Sequence, residues 1–362
     1  MKKIILAICG GLFIHDALAC TALSVKAQDG AVVAGRTMEW AYNMQWNLLF
    51  YPQGTSYTLQ VPTNSKLKST TITSRYAVLG IGTGLEQNAM LDGQNSAGLS
   101  ISGNFLPGFT QYPQVDNKEH NYISLLQLSY FVLSNYATVD EVKAELPKYT
   151  IWSPKLNNLP VEPSLHFLVT DKTGKNIVIE FIDGRMKIFD QTANVMTNSP
   201  NYDWHMINIR NYVNLSNDGV LNRYTNQLGN VSAFGQGVGA IGLPGDFTPP
   251  SRFVKTTFLN YFSNKPNNAN EAVNLIDHIL NNVDIPIGAI SSNQNGHKIS
   301  DYTQWVAIKN LHNNQLIFSD YDHRTNFVTI DLDQLIKNNK QLIIPIGNIS
   351  YPNNNITTQL IR

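Results

Sequence analysis

Cys20 is the residue whose setting carries chemistry in this chain. It follows Ala17-Leu18-Ala19, which places small residues at the two positions a signal peptidase reads. Cleavage after Ala19 would leave Cys20 at the new N-terminus, with a thiol and a free α-amine on one residue. That pair is a nucleophile with its own base. The only other cysteine, Cys9, lies in the leader and leaves with it. The mature chain then carries one thiol into an oxidising compartment, and no intrachain disulfide can form. A second reading makes Cys20 a lipidated anchor. Acylation of its amine would remove the base, although Ala17-Leu18-Ala19 places the branched residue one position away from where an anchor signal has it.

The next residues must form the element that holds Cys20. Positions 21–27 are rich in β-formers, Asp29-Gly30 is a two-residue hairpin signal, and Ala31-Val32-Val33 begins a returning strand. With Asp29-Gly30 as the loop, Gln28 faces Ala31 and Cys20 faces Glu39. Opposed residues share a face, with Cβ atoms roughly 4.5–5.5 Å apart. A carboxylate there would anchor the ammonium or orient the thiol. Arg36, three residues before Glu39, then points to the other face. It reaches Cys20 only through a bulge, for which Gly35 is the candidate, or through an early strand end.

The leader has the expected order: Lys2-Lys3, an apolar run from Ile4 to Ile14, then the cleavage site. The apolar run is shorter than the about 20 residues that span a bilayer. No later stretch reaches that length, so the expectation is an exported protein, periplasmic or secreted, without a membrane span. Lys+Arg and Asp+Glu balance at 26 each, which gives no electrostatic reason to expect nucleic acid. A 43% hydrophobic content with 16 Tyr and 15 Phe fits a packed globular chain.

Beyond Trp40, an aromatic run (Tyr42, Met44, Trp46, Phe50, Tyr51) reads as core or strand, or as the mouth of a pocket. Residues 69–84 and 97–106 read as strands. Residues 123–136 read as an amphipathic helix, and Thr138-Val139-Asp140-Glu141 is a capping box opening another. Strands and turns fill 164–190, a short strand runs from Val195 into Pro200, and 204–228 read as mostly helical. Helices are expected at 252–262 and 269–283, and a closing meander at 305–308, 315–321 and 326–332. Strands and helices in segregated runs argue for an α+β fold. No linker divides the chain, so residues 1–19 read as leader and 20–362 as one domain.

Other chemistries find little support. Gly237-Val238-Gly239-Ala240-Ile241-Gly242 matches a dinucleotide fingerprint, but Leu243-Pro244-Gly245-Asp246 follows where a helix should open. There is no HExxH and no Cys/His spacing for zinc. Neither cofactor nor metal is expected. His166 sits in an apolar strand pattern and reads as a core histidine, although a papain-like pairing of Cys20 with a distant histidine stays open on residue count.

Cys20 to Trp40 resembles the start of the choloylglycine hydrolase family, the N-terminal nucleophile hydrolases that include bile salt hydrolases and penicillin V acylases. Four further segments agree in order. Leu165-His166-Phe167-Leu168-Val169-Thr170-Asp171 with Ile177-Val178-Ile179-Glu180 resembles the family's central strands. Val195-Met196-Thr197-Asn198-Ser199-Pro200 resembles its Thr-Asn-Ser/Asn-Pro motif. Gly242-Leu243-Pro244-Gly245-Asp246 with Ser251-Arg252-Phe253 resembles its Gly-Leu-Pro-Gly-Asp and Ser-Arg-Phe pair, and Phe318-Ser319-Asp320-Tyr321-Asp322 its C-terminal meander.

The resemblance implies an αββα four-layer sandwich, often assembled as a homotetramer, that hydrolyses a linear C–N amide bond. It implies Cys20 as nucleophile and base, Arg36 against the thiol, Asn198 donating to the oxyanion and Arg252 holding charge near the N-terminus. Glu39 stands where the family usually has Asp. The second oxyanion donor falls on the backbone of Phe105, or on Asn104 with one residue of slippage. Taken alone, Asn198 would cap a turn and Arg252 would be a solvated charge; the ordered match favours the functional roles. The expected substrate is a small-molecule N-acyl amide with a bulky hydrophobic acyl group, of the conjugated bile salt or penicillin V type. Trp40, Met44, Trp46, Phe105, Phe109 and Tyr112 are the candidates to hold that group. N-acyl homoserine lactones are the alternative substrates, and a Cys20-lipidated, non-catalytic surface protein the alternative function.

Overall fold

A computed structural model describes residues 19–361 apart from 63–64, 117–120, 157–162, 220–228, 230, 232 and 295. Except for Ala19, the expected leader lies outside the described residues. Two antiparallel sheets form the centre. In chain order their strands are β1 (Thr21–Lys26), β2 (Val32–Trp40), β3 (Asn47–Tyr51), β4 (Val78–Gly82), β5 (Met90–Asn95), β6 (Leu99–Phe105) and β7 (Leu165–Asp171), followed by β8 (Asn176–Ile182), β9 (Arg185–Phe189), β10 (Val195–Met196), β11 (Tyr302–Asn310), β12 (Gln315–Asp320), β13 (Val328–Asp331) and β14 (Leu342–Pro345). The first sheet has the order β10-β1-β2-β11-β12-β13, and the second β9-β8-β7-β6-β5-β4-β3-β14. Helices α1 (Leu128–Asn135) and α2 (Val139–Glu145) cover the second sheet. Helix α3 (Tyr202–Asn208) follows β10, and α4 (Pro249–Phe262) and α5 (Ala269–Asn281) cover the first sheet. The result is the four-layer αββα sandwich.

This layering explains why β2 does not alternate between apolar and polar residues. All nine of its residues are buried, because helices cover one face and the second sheet the other. Gly35 is needed for close approach: a Cβ there would lie 2.4 Å from Ile276 Cγ2 of α5. It does not mark a bulge. The register break lies instead in β11, between Thr303 and Trp305. The two sheets are also joined by a buried ion pair. Lys309 Nζ donates to Asp92 Oδ1 at 2.7 Å and Oδ2 at 2.5 Å, and to Ser102 Oγ at 2.8 Å.

The hairpin differs from its expected register. Ala27 N–H donates to Ala31 O at 2.8 Å and Gly30 N–H to Ala27 O at 3.2 Å. The loop is therefore three residues, 28–30, closed by Gly30 at φ 91°. Thr21 opposes Thr37, and the pairing moves one position from that of a two-residue loop. Continued by one residue, it places Cys20 opposite Met38 and not Glu39. A one-residue slip exchanges faces. Arg36 and Met38 share the Cys20 face, and the Glu39 side chain points to the other.

Two helical expectations also change. The segment 123–136 begins as the short strand Tyr122–Ser124, passes through a 3₁₀ turn, and is α-helical only from Leu128. Seven residues of α1 are buried, so it is covered all round and not amphipathic. Beyond α3, residues 209–212 form a 3₁₀ turn, and much of the remaining segment expected to be helical lies outside the described residues. The helix start is as expected, with one half of the capping box shifted: Glu141 N–H donates to the N-cap Thr138 Oγ1 at 3.1 Å, while Glu141 Oε2 accepts at 2.6 Å from the N–H of Ala137, one residue before the cap. No helix among the described residues is long and apolar enough to cross a membrane.

Candidate active site

The site lies where β1 begins. β10 flanks β1 and delivers Asn198 from the turn that follows it; β2 delivers Arg36 and Glu39; and α4 delivers Arg252 from its first turn. Chemistry local to the loop before α4 sets that turn. Pro249 and Pro250 occupy the first helical positions, where a missing N–H costs nothing. Asp246 Oδ1 accepts from Thr248 N–H at 2.9 Å and Oγ1–H at 2.6 Å, and Asp246 Oδ2 from Ser251 Oγ at 2.7 Å.

Asn198 is the hub. Its Oδ1 accepts from Cys20 N–H at 2.7 Å and Arg252 Nη2 at 2.8 Å, while its Nδ2 donates to Phe105 O at 2.8 Å. Arg252 Nη1 also donates to Cys20 O at 2.6 Å and Thr21 Oγ1 at 2.7 Å. Cys20 Sγ lies 3.7 Å from Met38 Sδ and 3.8 Å from the backbone oxygen of Glu39. Arg36 extends between the sheets. Its Nη1 donates to Gly103 O at 2.8 Å, its Nη2 lies 3.1 Å from Met38 Sδ, and its guanidinium stands 4.9 Å from the Trp305 ring centre.

Every ionisable group here is buried, and burial dominates the electrostatics. It raises the Cys20 thiol, against the pull of Arg36. It pushes Glu39 up to about 8, opposed by Arg252 and by hydrogen bonds from Thr303 Oγ1 at 2.7 Å and Thr37 Oγ1 at 3.0 Å. It lowers Arg252 to about 10, opposed by Glu39 and Cys20. The acid thus stands on the helix-covered face beside Arg252. Its backbone oxygen meets the thiol, and its carboxyl acts on the thiol by charge alone.

Of the two candidates for a second oxyanion donor, Phe105 borders Asn198. Leu106 N–H donates to Ser164 O at 2.7 Å, and Phe105 pairs with Leu165. Hydrogen-bonded and non-bonded pairs alternate along an antiparallel ladder. The backbone N–H and C=O of Phe105 therefore turn away from β7, and the C=O meets Asn198. Asn104 is committed elsewhere, donating to Thr197 O at 2.9 Å and Met196 O at 3.3 Å.

The aromatic candidates divide. Met44, Trp46 and Phe105 line a small apolar cavity of about 50 Å³ with Leu85, Met90 and Leu165 among its other walls. Trp40 is outside this lining: it shares the inward face of β2 with Met38 and is buried, stacked on Phe105 at 4.4 Å. Phe109 is 43% exposed. The Tyr112 hydroxyl accepts from Leu165 N–H at 2.9 Å, and Tyr112 borders a separate, polar depression. The sequence reading omitted Met38, Thr21, Thr303 and Gln304. Gln304 Oε1 accepts from Trp46 Nε1 at 2.7 Å, and its Nε2 donates to Trp40 O and Tyr42 O. Met38 would have followed from reading the turn as three residues. The Gly237–Gly242 stretch holds a 3₁₀ turn, not a strand-to-helix passage.

A sequence model described as linear amide C–N hydrolases, choloylglycine hydrolase family, matches residues 20–344. The bile salt hydrolase/transferase of Clostridium perfringens (strain 13 / Type A) is 34% identical over 300 residues, covering 80% of this chain and 86% of that protein. A crystal structure of a variant of conjugated bile acid hydrolase from Clostridium perfringens is similar with a TM-score of 0.78 at 31% identity, covering 92% of this chain and 99% of that one. The structure of penicillin V acylase from Agrobacterium tumefaciens is similar with a TM-score of 0.68 at 25% identity, covering 88% and 87%.

Proposed function

Because the chain belongs to the choloylglycine hydrolase family and is thereby an amide hydrolase acting on linear C–N bonds, we propose that it is an exported amidase whose nucleophile is Cys20, working with its own α-amine. The observation that carries this reading is the convergence of Asn198, Arg252 and Arg36 on Cys20, with Asn198 Oδ1 2.7 Å from the Cys20 nitrogen. Cleavage after Ala19 turns that peptide nitrogen into an amine whose reference pKa is about 7.7–8.0, so it can accept the thiol proton near neutral pH. The thiolate adds to the substrate carbonyl. The oxyanion meets Asn198 Nδ2 and the backbone N–H of Phe105. The ammonium then returns its proton to the departing amine, leaving a thioester for water to hydrolyse. Arg36 and Arg252 offset the cost of forming a thiolate in a buried place.

Glu39 serves chiefly to brace β2 beside Arg252, through the hydrogen bonds its carboxyl accepts from Thr303 Oγ1 and Thr37 Oγ1. The apolar cavity beside Phe105, about 50 Å³, seats the leading edge of a hydrophobic acyl group and favours it by burial. The substrates proposed are conjugated bile salts or penicillin V-type amides. Export follows from Lys2-Lys3, the apolar run and Ala17-Leu18-Ala19. Assembly as a homotetramer completes the proposal, with native mass spectrometry as its check. The test of function is a hydrolysis panel of glycocholate, taurocholate, penicillin V and N-acyl homoserine lactones. Turnover of a bulky acyl amide that disappears in Cys20→Ala supports the reading. Turnover retained by Cys20→Ala removes Cys20 from the chemistry.

A further inference from the structure

Behind Asn198 stands a buried polar row that the proposed reaction does not use. Asn104 on β6 pairs with His166 on β7, and His166 stands beside the Phe167–Ile179 pair, which puts it opposite Glu180 on β8. The three side chains thus lie side by side across three strands of the second sheet, all buried. They act on the backbone that leaves β10 in the first sheet. Thr197 O accepts from Asn104 Nδ2 at 2.9 Å and from His166 Nε2 at 2.9 Å. His166 Nδ1 lies 3.0 Å from Glu180 Oε1, which also accepts from Tyr202 N–H at 2.9 Å where α3 begins. On the other side of Asn198, its own carbonyl accepts from His205 Nε2 at 2.8 Å.

We propose that His166, braced by Glu180 and joined by Asn104 and His205, is a positioning residue that fixes the backbone of Asn198 and so the direction of its side-chain amide. The inference rests on the role given to Asn198 above. The Thr197 and Asn198 carbonyls belong to the peptide planes before and after the Asn198 Cα. With both held by side chains of buried residues, that Cα has little freedom, and its amide is aimed before substrate arrives. An apolar row would fill the same space without the cost of burying a histidine and a carboxylate. The polar row adds direction, since its donors converge on the two carbonyls flanking one residue. The Nε2 contact identifies that nitrogen as the donor, because Thr197 O can only accept.

The test separates the two ring nitrogens. Glutamine carries its amide nitrogen near the place of Nε2 and can still donate to Thr197 O. Asparagine places its amide near Nδ1 and keeps only the Glu180 side. Steady-state kinetics of His166→Gln, His166→Asn, Asn198→Ala and the doubles are measured with the panel substrate that turns over fastest, alongside thermal unfolding. His166→Gln is expected to keep kcat within about threefold. His166→Asn should lower kcat about 10²-fold, the loss a misplacement near 1 Å can cause, with KM within about twofold. Adding His166→Asn to Asn198→Ala should lower kcat no further, because the two act through one amide. Wild-type kcat in His166→Asn, equal loss in both His166 variants, or losses that multiply in the double variant would each overturn the proposal while leaving Asn198 in its role. Wild-type kcat in Asn198→Ala would overturn that role and this proposal with it. If His166→Asn does not fold, Glu180→Gln is the second probe, since it keeps an acceptor for Tyr202 N–H. About tenfold loss of kcat, absorbed by Asn198→Ala, supports the proposal, and an unchanged kcat contradicts it.

Discussion

Replacing Glu39 with glutamine should change how stability depends on pH. The carboxyl is buried and accepts from Thr303 Oγ1 and Thr37 Oγ1. Burial raises it from 4.5 to about 8. A group whose proton binds more tightly in the folded state stabilises most when protonated in both states. Stability from Glu39 is therefore highest below about 4.5, falls as pH rises to about 8, and is level beyond. The displacement corresponds to roughly 5 kcal/mol over that window, as an order of magnitude. His205 works against this slope. Burial lowers it from 6.5 to about 4, so its contribution rises with pH between those values. The wild-type curve mixes the two, and the difference between wild type and Glu39→Gln isolates Glu39. Glutamine suits the test because a hydroxyl both donates and accepts, so Thr37 and Thr303 can pair with its amide. Urea unfolding at pH 5, 6.5 and 8 should show the variant gaining on wild type by several kcal/mol from the lowest pH to the highest. A difference that stays constant across pH, or moves the other way, would refute the assignment of a protonated Glu39 in the folded chain.

Two further predictions concern turnover. Asn198→Ala should lower kcat by about 10²–10³ while leaving KM nearly unchanged, as loss of one oxyanion donor does; steady-state kinetics on the panel substrate decide it, and near-wild-type kcat would remove Asn198 from that role. Met44→Ala, at the wall of the apolar cavity, should reduce kcat/KM for a bulky acyl amide more than for the matching acetyl amide, and equal losses would place acyl recognition elsewhere.

What could be read in the sequence is what neighbouring residues decide among themselves. Thr138 and Glu141 announce a helix start through their own hydrogen bonds, whereas the helix carrying Arg252 begins three residues before its expected start, at Pro249, whose fixed φ suits a first helical position. Asp29-Gly30 announced the hairpin but not its length. A left-handed glycine suits both a two-residue turn and the third position of a longer one, and the choice exchanges the faces of Arg36 and Glu39. What stayed hidden depends on partners far along the chain. Trp40 reads as a pocket aromatic until Phe105 is found stacked on it. Lys309 and Asp92 meet only because the two sheets face each other. His166 read correctly as a core histidine, but its acceptor, the Thr197 carbonyl, is a backbone group that no side-chain pattern reveals. The ordered motifs brought Cys20, Asn198 and Arg252 to one place; only the fold shows that Glu39 reaches them through Arg252's side of the sheet.

In the proposed mechanism Cys20 becomes an N-terminal residue and carries the acyl group through its thiol. Intact mass and peptide-level mass spectrometry of the exported enzyme, quenched in acid during turnover, test it most directly. The expected result is a chain beginning at Cys20 with an unmodified amine and, during turnover, a fraction carrying one acyl group as a thioester on that residue. An active chain that retains Ala19, a Cys20 amine blocked by lipid in active enzyme, or an acyl group attached to another residue would contradict it.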